Sequence, residues 1–215
     1  MITTVYLIRH GQTVDSEEKK YKGHIDVPLS KEGRGQAERL ARYMSVLLAN
    51  GSERPVLNAV YSSGLSRAID TARIISRPFD IEPEEIEGLK ERSFGKWEGM
   101  TFSEIQQEYP SEFSAWVSDP LSFSPVNGES TQDVNNRVMP VYSDILARHE
   151  GDNIAIIAHG GVNRIILCNI LGIPLELIFR VEQDFSGLNV IRYYEGTPVV
   201  KTFNSTAHLN GPGPT

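Results

Sequence analysis

The sequence predicts a three-layer α/β/α fold, in which helices cover both faces of a mostly parallel central sheet. Short apolar runs typical of buried strands alternate along the chain with longer segments whose apolar residues recur at helical spacing. The chain has 215 residues, of which 40% are hydrophobic, and this is enough for one substantial core. We therefore expect a single domain over residues 1–215.

The strands are predicted from apolar runs that end at glycine, proline or polar residues. The clearest runs are 5–8 and 154–158, which are apolar and partly β-branched. Further strands are expected at 56–61, at about 80–86, and at 188–194 and 198–203, the last two as a hairpin.

The first helix is predicted to begin after Ser30, a suitable N-cap residue, and to end at Asn50-Gly51. Apolar residues at helical spacing indicate three further helices. They are expected at about 65–75, at about 134–145 with a kink at Pro140, and after residue 161.

Residues 94–127 are predicted to form a cap insertion rather than part of the sheet. This segment is rich in aromatic residues, proline, serine and glycine, and its periodicity is weak. Its aromatic residues are expected either to shape the mouth of a pocket or to form a small core of their own. The tail, about 209–215, is predicted to be mobile because glycine and proline alternate in it.

Composition argues against several classes of protein. The net charge is −7 and Lys and Arg do not cluster, which disfavours a nucleic-acid partner. No apolar run approaches the roughly 18 residues that a membrane helix needs, and the N-terminus has no leader pattern, so we expect a cytoplasmic, unprocessed protein. Cys168, the one cysteine, lies in an apolar run and is predicted to be a buried thiol.

Two histidines follow predicted strands, and a glycine follows each of them: His10 and His159. Ligands of such sheets bind beyond the carboxyl ends of the strands, where both histidines would lie. Either histidine alone is equally consistent with a structural role. Arg9 and Arg67 also follow strands and could hold phosphate oxygens, while a helix starting near Gly161 would direct free N–H groups at an anion. Together these residues predict a phosphate pocket.

A carboxyl group is needed as well if a histidine accepts the phosphoryl group. The ester oxygen must gain a proton when it leaves, and the water that later attacks must lose one. Glu91 and Glu98 are both candidates, and composition does not choose between them.

Six motifs follow one another over nearly the whole chain. They are Arg9-His10-Gly11-Gln12-Thr13, residues 26–33, 61–72 and 91–99, Gly128-Glu129-Ser130 and Ala158-His159-Gly160-Gly161. In this order and spacing they resemble the histidine phosphatase superfamily, the phosphoglycerate-mutase-like group. Residues 95–99 are more similar to its phosphatase branches, which include α-ribazole phosphatases and broad-specificity acid phosphatases, than to its cofactor-dependent mutases.

The resemblance implies a role for each member of the site. His10 would be the nucleophile, with an uncharged attacking nitrogen, and Arg9, Arg67 and a cationic His159 would hold the phosphate. Glu91 would be the proton donor and later the base, because the acid of the family stands four residues before the glycine that corresponds to Gly95. Glu98 would then be structural.

Further substrate contacts are expected at the following residues: Gln12, Thr13, Ser16, Lys22, Gly23 and Gly160. Ser16 and Lys20 depart from the family, which commonly has asparagine and arginine there, and this puts phosphate affinity and substrate orientation in question. We expect neither a metal nor another cofactor, because the two arginines and His159 supply the positive field that a metal supplies elsewhere.

The function predicted is metal-independent hydrolysis of a small phosphorylated metabolite, with α-ribazole 5′-phosphate one candidate. The alternatives are a phosphoglycerate mutase, a phosphoserine or sugar-bisphosphate phosphatase, and a noncatalytic phosphate-binding module. Residues 97–127 contain no Lys or Arg to retain a phosphorylated glycerate, which favours hydrolysis over mutase activity. Analogy with the family favours a homodimer.

Overall fold

A single six-stranded sheet forms the centre of the computed structural model, which describes residues 1–49 and 56–210. Its strands are β1 (Ile2–Arg9), β2 (Ala59–Ser62), β3 (Glu84–Glu85), β4 (Asn153–Ala158), β5 (Leu188–Tyr194) and β6 (Thr197–Ser205). They lie in the order β3-β2-β4-β1-β5-β6. The first four are parallel to one another, and β5 and β6 form an antiparallel hairpin at one edge. The predicted fold class, with a mostly parallel sheet, is confirmed.

Helices cover both faces of the sheet. They are α1 (Lys31–Ala49), α2 (Ser66–Ser76), α3 (Phe102–Glu108), α4 (Pro110–Ser118), α5 (Thr131–Ala147) and α6 (Gly160–Leu171). Side chains of a strand alternate between its two faces. Val5 and Leu7 of β1 therefore pack with α5 and α6 in one core, whereas Tyr6 and Ile8 pack with α1 and α2 in the other.

Because β1 and β4 are adjacent and parallel, the segments that follow the two strands begin side by side. Arg9 lies opposite Ala158 at the last pair of the register, so the next residues, His10 and His159, leave the sheet at neighbouring points. The backbone N–H of His10 still donates to the carbonyl of Ala158, at 3.1 Å. This shared edge is where the predicted phosphate pocket should form.

The segment predicted as a cap contains α3 and α4 and has a small aromatic core. Trp97, Ile105 and Trp116 are buried in it. Thr101 and Glu104 form a capping box at the start of α3. Arg92 connects this segment to α5, because its guanidinium donates to the carbonyls of Phe123 and Glu129 and to the hydroxyl of Thr131.

Several element boundaries differ from the predictions. β2 begins at Ala59 rather than at residue 56, and β3 has only two residues. α5 continues through Pro140, whose missing N–H removes one helical hydrogen bond without ending the helix. The predicted end of α1 at Asn50-Gly51 and most of the predicted mobile tail lie outside the described residues.

Two predictions from composition also bear on the described residues. Cys168 is buried on α6, as expected. None of the helices in the described ranges is both long enough and apolar enough to cross a membrane.

Truncating a side chain of β4 should be costly, because this strand is buried on both faces. Ile156 is fully buried, so Ile156→Ala should lower the free energy of unfolding by about 2–5 kcal/mol. Denaturant titration measures the change. Val199→Ala, at a β6 position that is 40% exposed, is the comparison and should cost less than about 1 kcal/mol. Equal losses in the two variants would contradict this account of the core.

Candidate active site

The structure brings the two predicted histidines into contact. The ring centroids of His10 and His159 are 5.1 Å apart, and both side chains are buried. His10, Arg9, Arg67 and Glu91 line one cavity of about 520 Å³, whereas His159 does not line it but contacts the ring of His10 edge-on. Residues more than 140 positions apart in sequence therefore form one site.

His10 is held with one ring nitrogen free. Its Nδ1 lies 2.8 Å from the carbonyl oxygen of Gly11, which can only accept, so Nδ1 carries the proton and donates it. Burial, and then the charges of Arg9 and Arg67, hold the pKa of His10 well below its ordinary value. The imidazole is therefore neutral at physiological pH, and Nε2 has the lone pair that a nucleophile needs.

The electrostatics of the pocket favour a neutral His159 rather than the expected cationic one. Burial is the largest cause that lowers its pKa well below the ordinary value, followed by the proximity of His10 and the charge of Arg67. Its Nε2 lies 2.7 Å from the hydroxyl oxygen of Ser63. If that hydroxyl donates to Nε2, the proton of the neutral ring is on Nδ1, which is buried and has no hydrogen-bond partner among the described residues. A neutral His159 therefore keeps one N–H without a partner among the described residues, and a negative charge placed beside it would raise its pKa.

Both arginines are fixed by backbone carbonyls. Arg9 donates to the carbonyl of Gln183 at 2.6 Å, and its guanidinium lies 4.1 Å from the ring centroid of Phe185. Arg67 donates to the carbonyls of Ile25 and Gly23. Burial lowers the pKa of Arg9 to about 10 and also lowers that of Arg67, but Arg9 still keeps its charge at neutral pH. Two positive charges are thus preorganised beside His10.

The carboxylate of Glu91 is bound at the start of α6. Its Oε2 accepts from the N–H of Gly161 at 3.0 Å, and its Oε1 accepts from the N–H of Arg92 at 2.8 Å. Gly161 is required for this contact, because a Cβ at that position would lie 2.4 Å from Oε1 of Glu91. The free N–H groups of a helix start thus orient the predicted acid.

Glu98 has a different environment. Its Oε1 accepts from the N–H groups of His24 and Phe94, at 3.0 and 3.1 Å, and from the hydroxyl of Ser93. It does not line the cavity that contains His10. The geometry therefore separates the two carboxylates that composition left open, with Glu91 at the cavity and Glu98 within the loop fold.

Five of the predicted substrate contacts line the cavity: Thr13, Ser16, Lys22, Gly23 and Gly160. The ammonium group of Lys22 donates to the carbonyl of Val14 at 2.5 Å and to the hydroxyl of Thr13 at 3.3 Å. Lys20, where the family commonly has arginine, lies at the same cavity and pairs with Glu18 at 2.6 Å.

Gln12 is the exception among the predicted contacts. Its side-chain oxygen accepts from the hydroxyl of Ser30, at 3.1 Å, and its N–H donates to the side chain of Gln36. Because these bonds direct it toward the start of α1, it does not line the cavity. The motif gave its position in the chain but not the direction of its side chain.

Several other side chains that line the cavity were not predicted from the sequence. Arg164 lies one turn into α6, four residues after Gly160, and this helical spacing was an available signal. Phe179 lies in a short 3-10 segment and Phe185 in a turn, both after α6, and such short elements have no periodicity that predicts the direction of a side chain. The ring centroid of Phe185 is 5.7 Å from that of His10, so this ring packs against both His10 and Arg9.

Both site histidines should remain uncharged below the ordinary histidine pKa. In 15N-labelled protein at pH 5.5–6, the ring nitrogens of His10 and His159 should show the shifts of neutral imidazole, with the proton of His10 on Nδ1. Nitrogen–proton correlation spectra measure this directly, and His10→Asn and His159→Asn assign the two signals. Imidazolium shifts for His10 at pH 6 would contradict the described electrostatics.

Comparison with known proteins shows which family this chain belongs to. The family model of the histidine phosphatase superfamily (branch 1) matches residues 5–206. Phosphoserine phosphatase 1 of Hydrogenobacter thermophilus is 30% identical over 203 residues, 94% of this chain and 92% of that protein. The adenosylcobalamin/alpha-ribazole phosphatase of Salmonella typhimurium is 31% identical over 206 residues, 94% and 96% of the two chains.

Solved structures show the same similarity. Bacillus stearothermophilus YhfR superposes with a TM-score of 0.85 at 31% identity, covering 97% of this chain and all (100%) of that one. The predictions of the family and of a phosphatase are thereby confirmed. The chain belongs to the histidine phosphatase superfamily, branch 1.

Proposed function

We propose that this phosphatase hydrolyses small phosphomonoesters in two steps, through a phosphoryl group carried on Nε2 of His10. The observation that carries the proposal is the state of His10, whose Nδ1 is committed to the carbonyl of Gly11 while Nε2 is unprotonated. Arg9 and Arg67 supply fixed positive charge at the same cavity, where an incoming phosphate is stabilised most in its transition state.

In the first step Nε2 of His10 forms a bond to phosphorus and the bond from phosphorus to the ester oxygen breaks. Glu91, which the second step leaves protonated, gives its proton to that oxygen, so the product leaves as an alcohol. Arg9, Arg67 and the N–H of His159 hold the other phosphate oxygens. The hydrogen bond from Nδ1 to Gly11 supports the positive charge that the ring gains.

In the second step water replaces His10 on phosphorus. The carboxylate of Glu91 removes a proton from the water, whose oxygen forms the new bond as the nitrogen–phosphorus bond breaks. The electron pair returns to Nε2, and inorganic phosphate leaves. Glu91 ends the cycle protonated and His10 neutral, so both residues are regenerated.

Hydrolysis is supported over mutase activity by the cap segment. Residues 97–127 contain no Lys or Arg, and Lys96 just before them is paired with Glu112. A mutase must retain a phosphorylated acid between two transfers, and this segment offers no cation to retain it. The two named relatives act on phosphoserine and on adenosylcobalamin or α-ribazole phosphates, and both kinds of ester belong to the proposed substrate class. A cytoplasmic location and a homodimer stay predictions.

Loss of the nucleophile should abolish turnover. With p-nitrophenyl phosphate in EDTA, His10→Ala should lower kcat by at least about a thousandfold, because the variant lacks the nitrogen that accepts the phosphoryl group in the proposed first step. Acid-labile, base-stable phosphate bound to nitrogen should be trapped in the wild type and not in the variant when a reaction with labelled substrate is quenched in base. Equal rates for the two proteins would remove the mechanism, and brisk interconversion of phosphoglycerates with little phosphate release would replace hydrolysis by mutase activity.

Displacing the carboxylate of Glu91 should slow the first step selectively. The methyl group of Gly161→Ala would collide with Oε1 of Glu91, whereas the nearest contact of the matched variant Gly160→Ala is an ordinary 3.6 Å. We expect Gly161→Ala to lower kcat/KM for an alkyl phosphate about tenfold or more, Glu91→Gln to lower it about 10²–10⁴-fold, and Gly160→Ala to retain more activity than either.

The leaving group provides the control for this prediction. p-Nitrophenolate leaves with little need of a proton, so the losses in kcat/KM with p-nitrophenyl phosphate should be smaller than with ethyl phosphate. Glu98→Gln should show no such dependence on the leaving group. A loss in Glu91→Gln that is the same for both esters would exclude Glu91 as the proton donor.

A further inference from the structure

Two phenylalanine rings lie exposed at the mouth of the active-site cavity. Phe102, the first residue of α3, is 46% exposed, and Phe179, in the 3-10 segment Leu175–Arg180, is 52% exposed. Both line the cavity that contains His10. We call this pair of rings the aromatic mouth. Exposed apolar side chains that converge in a concave site mark a surface for a ligand rather than for the core.

Aromatic side chains of the cap segment pack against both rings of the aromatic mouth. The ring centroid of the buried Trp116 lies 6.1 Å from that of Phe102 and 5.7 Å from that of Phe179. Phe113 packs edge-on against Phe102 at 4.8 Å. Each ring therefore has one side fixed by the cap core and another side open, so little conformational freedom remains to be lost when a ligand binds.

The cavity wall combines charged and apolar surface. Arg9, Arg67 and His10 supply the groups of the proposed phosphate site, while Ile165, Ile178 and the aromatic mouth supply apolar surface. A molecule with a phosphate at one end and a flat apolar group at the other would match both.

We propose that the aromatic mouth selects phosphomonoesters whose alcohol carries an aromatic ring. This inference rests on the hydrolysis proposed above. Phe102 and Phe179 are then specificity-determining residues that contact the organic part of the substrate and take no part in proton transfer. Offset or edge-to-face contacts between such rings are geometrically specific, so a flat group gains more from this surface than a small polar one.

Arg164 lines the same cavity and would favour a different class of substrate, phosphomonoesters that carry a carboxylate. Arg164 donates to the carbonyl of Val181 at 2.7 Å and lies 4.0 Å from the carboxylate of Glu182. A substrate with a carboxylate could replace Glu182 at this guanidinium. The exposed area of the two rings favours the aromatic ester, and the experiment includes phosphoserine to decide between them.

The test compares kcat/KM for 2-phenylethyl phosphate and ethyl phosphate, which share an alkyl leaving oxygen and differ in the ring. The wild type should prefer the aryl ester about tenfold or more, and Phe102→Ala and Phe179→Ala should each reduce its kcat/KM about two- to tenfold, mainly through KM. Values for ethyl phosphate should change less than twofold. Phe203→Ala, at a β6 position that is 43% exposed and does not line the cavity, is the matched control and should behave as the wild type.

Other outcomes of this experiment would contradict either the inference or the proposed function. Equal kcat/KM for the two esters in the wild type, equal losses on both in the variants, or a preference for phosphoserine over the aryl ester would overturn the aromatic mouth. If neither ester is hydrolysed, the proposed function fails, and calorimetric affinities of phenylphosphonate and methylphosphonate for the wild type still decide the inference. Phe102→Leu and Phe179→Leu replace any alanine variant that does not fold, and they should retain part of the preference.

Discussion

The parallel pairing of β1 with β4 is the constraint on which the site depends. Both strands are buried on both faces and end at the same level, so the residues that follow them must leave the sheet together. His10 and His159 meet for this reason, although 148 positions of chain separate them. Their burial in turn keeps both rings neutral, which leaves a lone pair on His10, and Arg9 and Arg67 are the positive charges that act most strongly on His10.

The sequence indicated this part of the structure well because each element of it is local. A buried apolar strand followed by histidine and glycine is visible in ten residues, and the edge of a parallel sheet brings such ends together without further information. The choice of Glu91 over Glu98 came from family resemblance alone. The structure gives the physical reason, since only Glu91 accepts from the N–H of Gly161 at the start of α6 and lines the cavity.

Features that depend on side-chain direction or on summed electrostatics were not predictable in the same way. Gln12 lies in a matching motif but turns toward Ser30, and the charge of His159 follows from burial and from neighbours far away in sequence. The cap helices α3 and α4 are too short for periodicity to define them. The capping box of Thr101 and Glu104 was a local signal that could have located the first of the two.

Arg92 gives the cap and the acid a common anchor. Its backbone N–H holds one oxygen of Glu91, while its guanidinium holds carbonyls at Phe123 and Glu129, where the cap returns to α5. One residue therefore connects the cap segment with the carboxyl group of Glu91. An engineer who exchanged this cap for that of another member of the superfamily would have to transplant position 92 with it, or the graft would bring a new pocket mouth and a misaligned carboxylate.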